Sequence, residues 1–276
     1  MTGGTELAKT INRNLAKACK EYGMGMGLGS CRAILESNER ISDFNIRPLI
    51  GDQPLYANLG IAQIGELFSA KKEYLILELV KKLQADGLII HINPLQEWLQ
   101  PEGDIYYASP LDLIKRTIDL DGDLKIIVKE VGQGMGPKSL KALYELPIQA
   151  VDFAAGGGTN FAKLELHRAS DVQKERYTGL AHVGHSAFEM MHFANTIFES
   201  SEHLQCHETI ISGGVKDYLD GYYLTQRLNN KAIYGQASVF LKHATENYEA
   251  LQKHVESQIK GLQVAHQFLS IRQPKN

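Results

Sequence analysis

Apolar residues recur along the chain in two alternating patterns. Short, nearly continuous apolar runs stand at 23–29 (GMGMGLG), 54–60 (PLYANLG), 87–93 (GLIIHIN), 124–132 (LKIIVKEVG), 150–157 (AVDFAAGG), 208–214 (ETIISGG) and 231–240 (KAIYGQASVF). Their length and their Gly, Pro and Asn flanks predict strands. Between them lie stretches with apolar residues at helical spacing, at 6–22, 63–85, 139–146, 218–230 and 249–270. Several strand runs are apolar throughout, which suits strands covered on both faces. Strand–helix alternation of this kind predicts parallel βαβ units.

Seven strand runs are present, whereas a closed parallel barrel has eight strands. The chain opens with MTGG and runs at once into a helical pattern. MTGG has the composition of a loop that follows a strand. The expected architecture is α/β, a TIM (β/α)8-type barrel whose first strand is missing, built as a single domain over residues 1–276. An open, doubly wound sheet of seven strands is the alternative topology. No Pro- or Ser-rich linker, charge block or low-complexity tract divides the chain.

Composition acts mostly by exclusion. Apolar residues make up 43% and charged residues 22%, as in ordinary globular proteins. A net charge of −3 leaves no basic footprint for nucleic acid or an anionic membrane. No apolar run is long enough for a transmembrane helix, and no secretory pattern opens the chain. Cys19, Cys31 and Cys206 are odd in number and far apart, unlike a disulfide framework or a zinc site. These features predict a reduced, cytoplasmic protein with buried thiols.

Candidate chemistry falls at the carboxyl ends of the predicted strands, where β/α barrels keep their sites. Thr2 stands in the opening loop, Ser30 and Arg32 follow the first run, and Asn58 lies in PLYANLG. Asn93, Gln96 and Glu97 follow GLIIH; Lys129 and Glu130 come next, then Gly156 to Asn160 with Thr159, then Ser212, Gly213 and Gly214, and finally Gly235 and Ala237. The glycines of the last two loops let backbone N–H groups approach a phosphate, and tight turns use glycine equally well. Lys129, ending a buried run, needs an anion, an electron-rich cofactor atom or a carboxylate such as Glu130. His91 and Asn93 share one strand face, and Pro94 stops the strand. His91 can donate to a phosphate oxygen. Glu97 is an oxygen ligand suited to Mg2+, and Gln96 can fix a substrate or relay a proton without carrying charge. The competing use of these residues is a helix start, with Asn93 as cap and Glu97 reaching back four positions rather than three. His185, His203 and His207 are expected in loops or at the surface, without a role.

HINPLQE followed by PEGD, then VKEVGQGM, GGGTNFAKLE and ISGG, in this order, resemble the type 2 isopentenyl-diphosphate isomerase family. So do MTGGTELAKTINRNLAKACKEYGMGMGLGS and PLYANLG. The resemblance covers residues 1–270. It implies an FMN-dependent β/α barrel that interconverts isopentenyl and dimethylallyl diphosphate. The implied cofactors are reduced FMN and Mg2+, with NADPH or a similar donor as reductant, in a cytoplasmic homo-oligomer. By the same resemblance, Thr2, Ser30, Asn58, Lys129 and Thr159 contact the flavin, and Gly213, Gly214 and Ala237 hold its phosphate. His91 and Asn93 face the substrate diphosphate, with help from Arg32. Gln96 meets the reacting alkene end as the catalytic residue, and Glu97 binds Mg2+.

The chain departs from the family in three places. Members carry a segment before MTGG with a basic diphosphate-gripping motif and the first barrel strand, in line with the missing strand above. GLAHVGHSAFEMMH (179–192) fits the family's tryptophan-containing segment poorly, and RLNNKAIYG lacks the Gly-Ala before the last strand. Two other functions stay open. One is a non-catalytic flavin-binding remnant. The other is a different FMN barrel such as a 2-hydroxy acid oxidase, disfavoured because ETIISGGVKDYLD offers no arginine for a carboxylate.

Overall fold

The computed structural model describes residues 6–35, 37–100 and 108–272. Thr2, the rest of MTGG and the PEGD motif lie outside the described residues. Seven parallel strands form one sheet: β1 (Met26–Gly27), β2 (Leu55–Gly60), β3 (Gly87–His91), β4 (Lys125–Lys129), β5 (Ala150–Asp152), β6 (Glu208–Ile211) and β7 (Lys231–Tyr234). Every predicted run yields one strand. They pair strictly in chain order from β1 to β7. A doubly wound sheet reverses its strand order partway, so that alternative is excluded. Among the described residues, β1 and β7 are the two edges and do not pair with each other.

The two faces of the sheet carry separate cores. Leu59, Leu88, Ile90, Ile126, Val128 and Val151 point outward and are buried beneath the surrounding helices. The alternate positions Ile89, Ile127 and Ala150 pack with Tyr56 and Ile210 in a cluster of their own. Side chains from β2 to β6 meet in this way only on the concave face of a curled, barrel-like sheet. The three cysteines are buried and unpaired, and burial pushes the Cys31 thiol up to about 12.

The helix at Glu6–Tyr22 forms as its spacing predicts. The predicted 63–85 helix is instead two helices, Ile61–Ser69 and Tyr74–Lys82. The break is a Schellman turn: Lys72 N–H bonds Leu67 O at 2.8 Å and Lys71 N–H bonds Phe68 O at 3.3 Å. Lys71 takes the left-handed conformation, φ 56°, a position usually held by glycine, so the sequence carried no stop signal. Helices at Pro94–Leu99, Phe161–Arg168, Ala187–Ser200 and Ser238–Glu246 add to those predicted.

The outer face anchors the fold, while β7 has one face in solvent. Ile90 is 0% exposed and Ile233 is 64% exposed. Ile90→Ala should cost about 2–5 kcal/mol of unfolding free energy. Ile233→Ala should stay within about 0.5 kcal/mol of the parent. Urea denaturation of the two variants checks the contrast.

Candidate active site

Register partners on neighbouring parallel strands point to the same face. His91 pairs with Lys129, and Lys129 with Asp152. The three stand side by side on the concave face at the carboxyl ends of β3, β4 and β5. Asn58 joins them from β2, with its Oδ1 2.8 Å from His91 Nδ1 and its Nδ2 donating to Leu28 O at 2.8 Å. Ser212, just past β6, donates from Oγ to Asp152 Oδ1 at 2.5 Å and accepts the Ala154 N–H at 3.1 Å. A polar row thus runs from Asn58 through His91, Lys129 and Asp152 to Ser212.

The row is buried or half-buried and rich in charge. Burial pushes His91 down to about 3, and the Lys129 ammonium adds to the fall. Burial also lowers Lys129, opposed by Asp152 and then Glu130. It raises the Asp152 carboxyl, opposed by Lys129 and by hydrogen bonds from Ser212 and Ala154. Lys129 and Asp152 are therefore mutual counter-charges, and removing either leaves a buried ion uncompensated.

Glu130 does not pair with Lys129 through its carboxylate. Lys129 Nζ donates to the Glu130 backbone oxygen at 2.6 Å. The carboxylate Oε2 instead accepts four successive N–H groups, from Val131 (2.6 Å), Gly132 (2.7 Å), Gln133 (2.6 Å) and Gly134 (3.1 Å). Burial raises the Glu130 carboxyl and these four donors oppose the rise. The clamp fixes the loop after β4, and Gln133 Nε2 ties that loop to Leu180 O (3.0 Å) and Val183 O (2.6 Å).

The glycine loops interlock. Gly213 and Gly214 have φ of +81° and +75°, where a side chain is strained. A Cβ on Gly213 would overlap the Ala155 backbone. The turn explanation therefore holds for these glycines, and an anion role is compatible with it. Among the described residues, the N–H groups of Gly213, Gly214, Gln236 and Ala237 have no protein acceptor. Ala237 precedes the Ser238–Glu246 helix and offers no side-chain cap. Open donors at a helix start favour an anion.

The Pro94–Leu99 helix begins three residues after β3 ends, with Asn93 at the cap position but making no side-chain cap bond. Asn93 Nδ2 instead donates to Glu97 Oε1 (2.8 Å) and Gln96 Oε1 (3.2 Å). The capping alternative is thus half correct: the position is a cap and the side chain is used elsewhere. Gln96 Nε2 donates to Glu165 Oε1 at 3.3 Å, and Arg168 Nη1 pairs with Glu165 Oε2 at 2.8 Å. Asn93, Gln96, Glu97 and Glu165 are all buried, and Asn93 Oδ1 has no hydrogen-bond partner. Among the described residues no cluster of three or more His, Cys, Asp or Glu forms a metal cage.

The remaining expected residues lie on loops at the same edge. Cys31 N–H donates to Asn58 O at 2.7 Å, which holds the Ser30–Arg32 turn against β2. Thr159 is exposed in the loop after β5, with its carbonyl against Gly132. Thr2 is outside the described residues. Sequence reading passed over Asp152 and Glu165. Each had a faint signal: Asp152 is an acid inside an apolar strand run, and Glu165 falls one turn after Phe161, near a helix start.

No protein-family model matches the chain. A curled parallel sheet with a polar row along its carboxyl edge defines a β/α-barrel scaffold. The flavin-binding domain of baker's yeast flavocytochrome b2 superposes with TM-score 0.58 at 12% identity, covering 98% of this chain and 62% of that one. A flavocytochrome b2 variant with benzoylformate gives 0.58 at 10% identity, covering 94% and 61%. This chain spans less than two thirds of either, and at such identities the likeness concerns fold alone. Sequence relatives reach further. The isopentenyl-diphosphate delta-isomerase of Cronobacter sakazakii is 35% identical over 273 residues, 96% of this chain and 74% of that protein. That of Rickettsia felis is 32% identical over 265 residues, 96% and 73%, and that of Synechocystis sp. 31% over 272 residues, 96% and 73%. The chain belongs to the type 2 isopentenyl-diphosphate delta-isomerase family.

The Glu130 clamp carries its own prediction. Glu130→Ala strips four N–H groups of their acceptor, and each buried unsatisfied donor costs about 1–3 kcal/mol. The variant should lose at least about 2 kcal/mol of stability, and amides 131–134 should exchange with deuterium faster than in the parent. Unchanged exchange there would remove the clamp.

Proposed function

We propose that the chain interconverts isopentenyl and dimethylallyl diphosphate, with reduced FMN as cofactor, Mg2+ on the diphosphate and NADPH as the external reductant. The carrying observation is the buried Asn93–Gln96–Glu97–Glu165 network, which continues from the His91–Lys129–Asp152 row at the carboxyl edge. Family membership supports the same reading.

The residues present fit both groups. The unpartnered N–H groups of Gly213, Gly214 and Ala237 suit the FMN phosphate. Lys129 offers an ammonium for an electron-rich ring atom. Asn58 uses one hydrogen of Nδ2 on Leu28 and keeps the other for the ring. Ser30, Thr159 and Thr2 supply hydroxyls for the ribityl chain. For Mg2+, the Glu97 carboxylate and the orphaned Asn93 Oδ1 are oxygen donors side by side. Mg2+ characteristically binds through one or two carboxylates plus substrate phosphate oxygens.

The isomerisation adds a proton at one end of the allylic unit and removes one at the other, with no net redox change. Reduced FMN, when bound, supplies the donor and acceptor of that proton. The chain's residues hold the geometry. Gln96 is locked, with Nε2 towards Glu165 and Oε1 towards Asn93, and so presents a fixed, uncharged amide to the alkene. Arg168 pairs with the other Glu165 oxygen and keeps that acceptor in place. His91 and Asn93 face the diphosphate, and Arg32 approaches from the turn after β1. The buried network excludes water from the reacting carbons.

No helix among the described residues is long and apolar enough to cross a membrane. A cytoplasmic homo-oligomer without nucleic-acid or membrane partners completes the proposal. Val264 (54% exposed) and Phe268 (70%), four apart on the last helix, support an association face.

The test is anaerobic turnover by the purified chain, loaded with FMN and reduced, with Mg2+ and isopentenyl diphosphate, read by proton NMR. Flavin binding without product, or oxidation of a 2-hydroxy acid, overturns the proposal. Glu97→Gln should lower Mg2+-dependent turnover at least about tenfold, or 1.4 kcal/mol, while FMN affinity holds. Loss of both in parallel would remove Glu97 as a metal ligand. Lys129→Ala should release FMN, and a variant that stays yellow with the parent's affinity would take Lys129 away from the flavin.

A further inference from the structure

We propose that Asp152 is a positioning residue for the flavin, with one carboxylate that holds the Gly213–Gly214 loop to its shape and offsets the Lys129 ammonium beside the flavin ring. The proposal rests on the reading above that Lys129 meets the ring and the glycine loop meets the phosphate.

The hold on the loop begins at Ala154. Its φ is +40°, in the left-handed region that residues with a Cβ rarely adopt. Two acceptors secure that conformation. The Ala154 N–H reaches Ser212 Oγ at 3.1 Å and Asp152 Oδ1 at 3.3 Å. Ser212 Oγ donates to the same Oδ1 at 2.5 Å, which closes a triangle of hydrogen bonds between the ends of β5 and β6. On either side of Ala154 the chain stays joined to the β6 segment, through Phe153 N–H to Ile210 O (3.0 Å) and Ala155 N–H to Ser212 O (2.9 Å).

Ala155 is the surface on which Gly213 rests. A Cβ on Gly213 would overlap Ala155 O and N, and one on Gly214 would press on the Gly156 carbonyl oxygen. Backbone lies directly on backbone at both places, so a shift of Ala155 and Gly156 displaces the glycine loop. Asp152 therefore shapes the loop through Ala154 and Ser212.

The charge offset follows from register. Lys129 and Asp152 are partners on adjacent strands and share the concave face. Lys129 Nζ gives one hydrogen to Glu130 O at 2.6 Å, and Asp152 leads the charges that act on it. Burial raises the Asp152 carboxyl; Lys129 leads the groups that oppose the rise, followed by Ser212 and Ala154. The donors that fix the loop thus also help to keep the carboxylate charged. Among the described residues no hydrogen bond reaches Asp152 Oδ2. Reduction raises the electron density of a flavin ring, which a neighbouring cation favours and a neighbouring anion opposes. With Asp152 beside it, Lys129 favours the reduced ring less than a lone ammonium would.

Two substitutions separate the two effects. Asp152→Asn keeps an oxygen for Ser212 and Ala154 and loses the charge. Ser212→Ala keeps the charge and opens the triangle. The purified full chain and its variants are titrated with oxidised FMN, with FMN reduced under anaerobic conditions, and with riboflavin, which has the ring and no phosphate. Asp152→Asn should raise the ratio of reduced to oxidised affinity about tenfold or more, about 30 mV for a two-electron couple, and keep the parent's preference for FMN over riboflavin. Ser212→Ala should lower that preference about tenfold or more and move the redox ratio less than Asp152→Asn does. Asp152→Asn leaves a buried ammonium uncompensated. Lys129→Gln is therefore measured with and without Asp152→Asn, and there too the loss of the acid should raise the ratio.

A redox ratio that Asp152→Asn leaves unmoved in both backgrounds overturns the charge offset. An unmoved preference for FMN in Ser212→Ala overturns the hold on the loop. Parallel shifts of both readouts in both variants reduce Asp152 to a structural residue and overturn the proposal. A parent chain that binds no FMN overturns the flavin reading of the site and the proposal with it. A parent that binds FMN and riboflavin equally takes the phosphate away from the glycine loop and overturns the loop half alone.

Discussion

His91, Lys129 and Asp152 stand abreast because β3, β4 and β5 pair without offset. What sets that register lies behind and below them. Ile90, Val128 and Val151 are held in the outer layer by the helices, while Ile89, Ile127 and Ala150 fill the hollow of the curl. A slip of one residue would turn the apolar set inward and the polar row outward. The helix layer therefore positions the chemistry through the alternation of the strands rather than by contact with it.

The row and the anion cradle share a residue. Ser212 closes the row through Asp152 and opens the Gly213–Gly214 loop. Asp152 is in turn the counter-charge that acts most strongly on Lys129. Charge in the row and geometry in the glycine loop are thus coupled through two side chains. On the other flank, Glu130 spends its carboxylate on its own loop, which leaves its backbone oxygen as the rest for the Lys129 ammonium. A lysine held by a carbonyl, with Asp152 and Glu130 acting on it without a direct ion pair, keeps its remaining N–H donors open to a ligand.

Seven of seven strands were legible because a parallel strand covered on both faces is an apolar run with little else to resemble. The gap between expectation and structure lies in the helices. Lys71 ends a helix in the left-handed conformation without the glycine that advertises such a stop. The Ala187–Ser200 helix did announce itself, through the Ser186–Glu189 capping box, in a segment where family comparison drew attention to what differed. At the site, Asn58, His91, Lys129 and the Asn93–Gln96–Glu97 group were readable because strand ends are where such folds place polarity. Glu165 was not, since it arrives from a distant helix and its partner is 69 positions away. Local patterns carry no trace of that pairing.

Among the described residues, the two edges of the sheet are unequal and both are blunted. β1 offers two residues of backbone, too few to template a neighbour. β7 begins at Lys231, which is exposed and paired with Glu208 on β6, and Gly235 ends its run. A lysine on an edge strand makes it costly for another chain's strand to add there. Addition of another chain's strand is thus disfavoured at both described edges, and any assembly is steered to the helices.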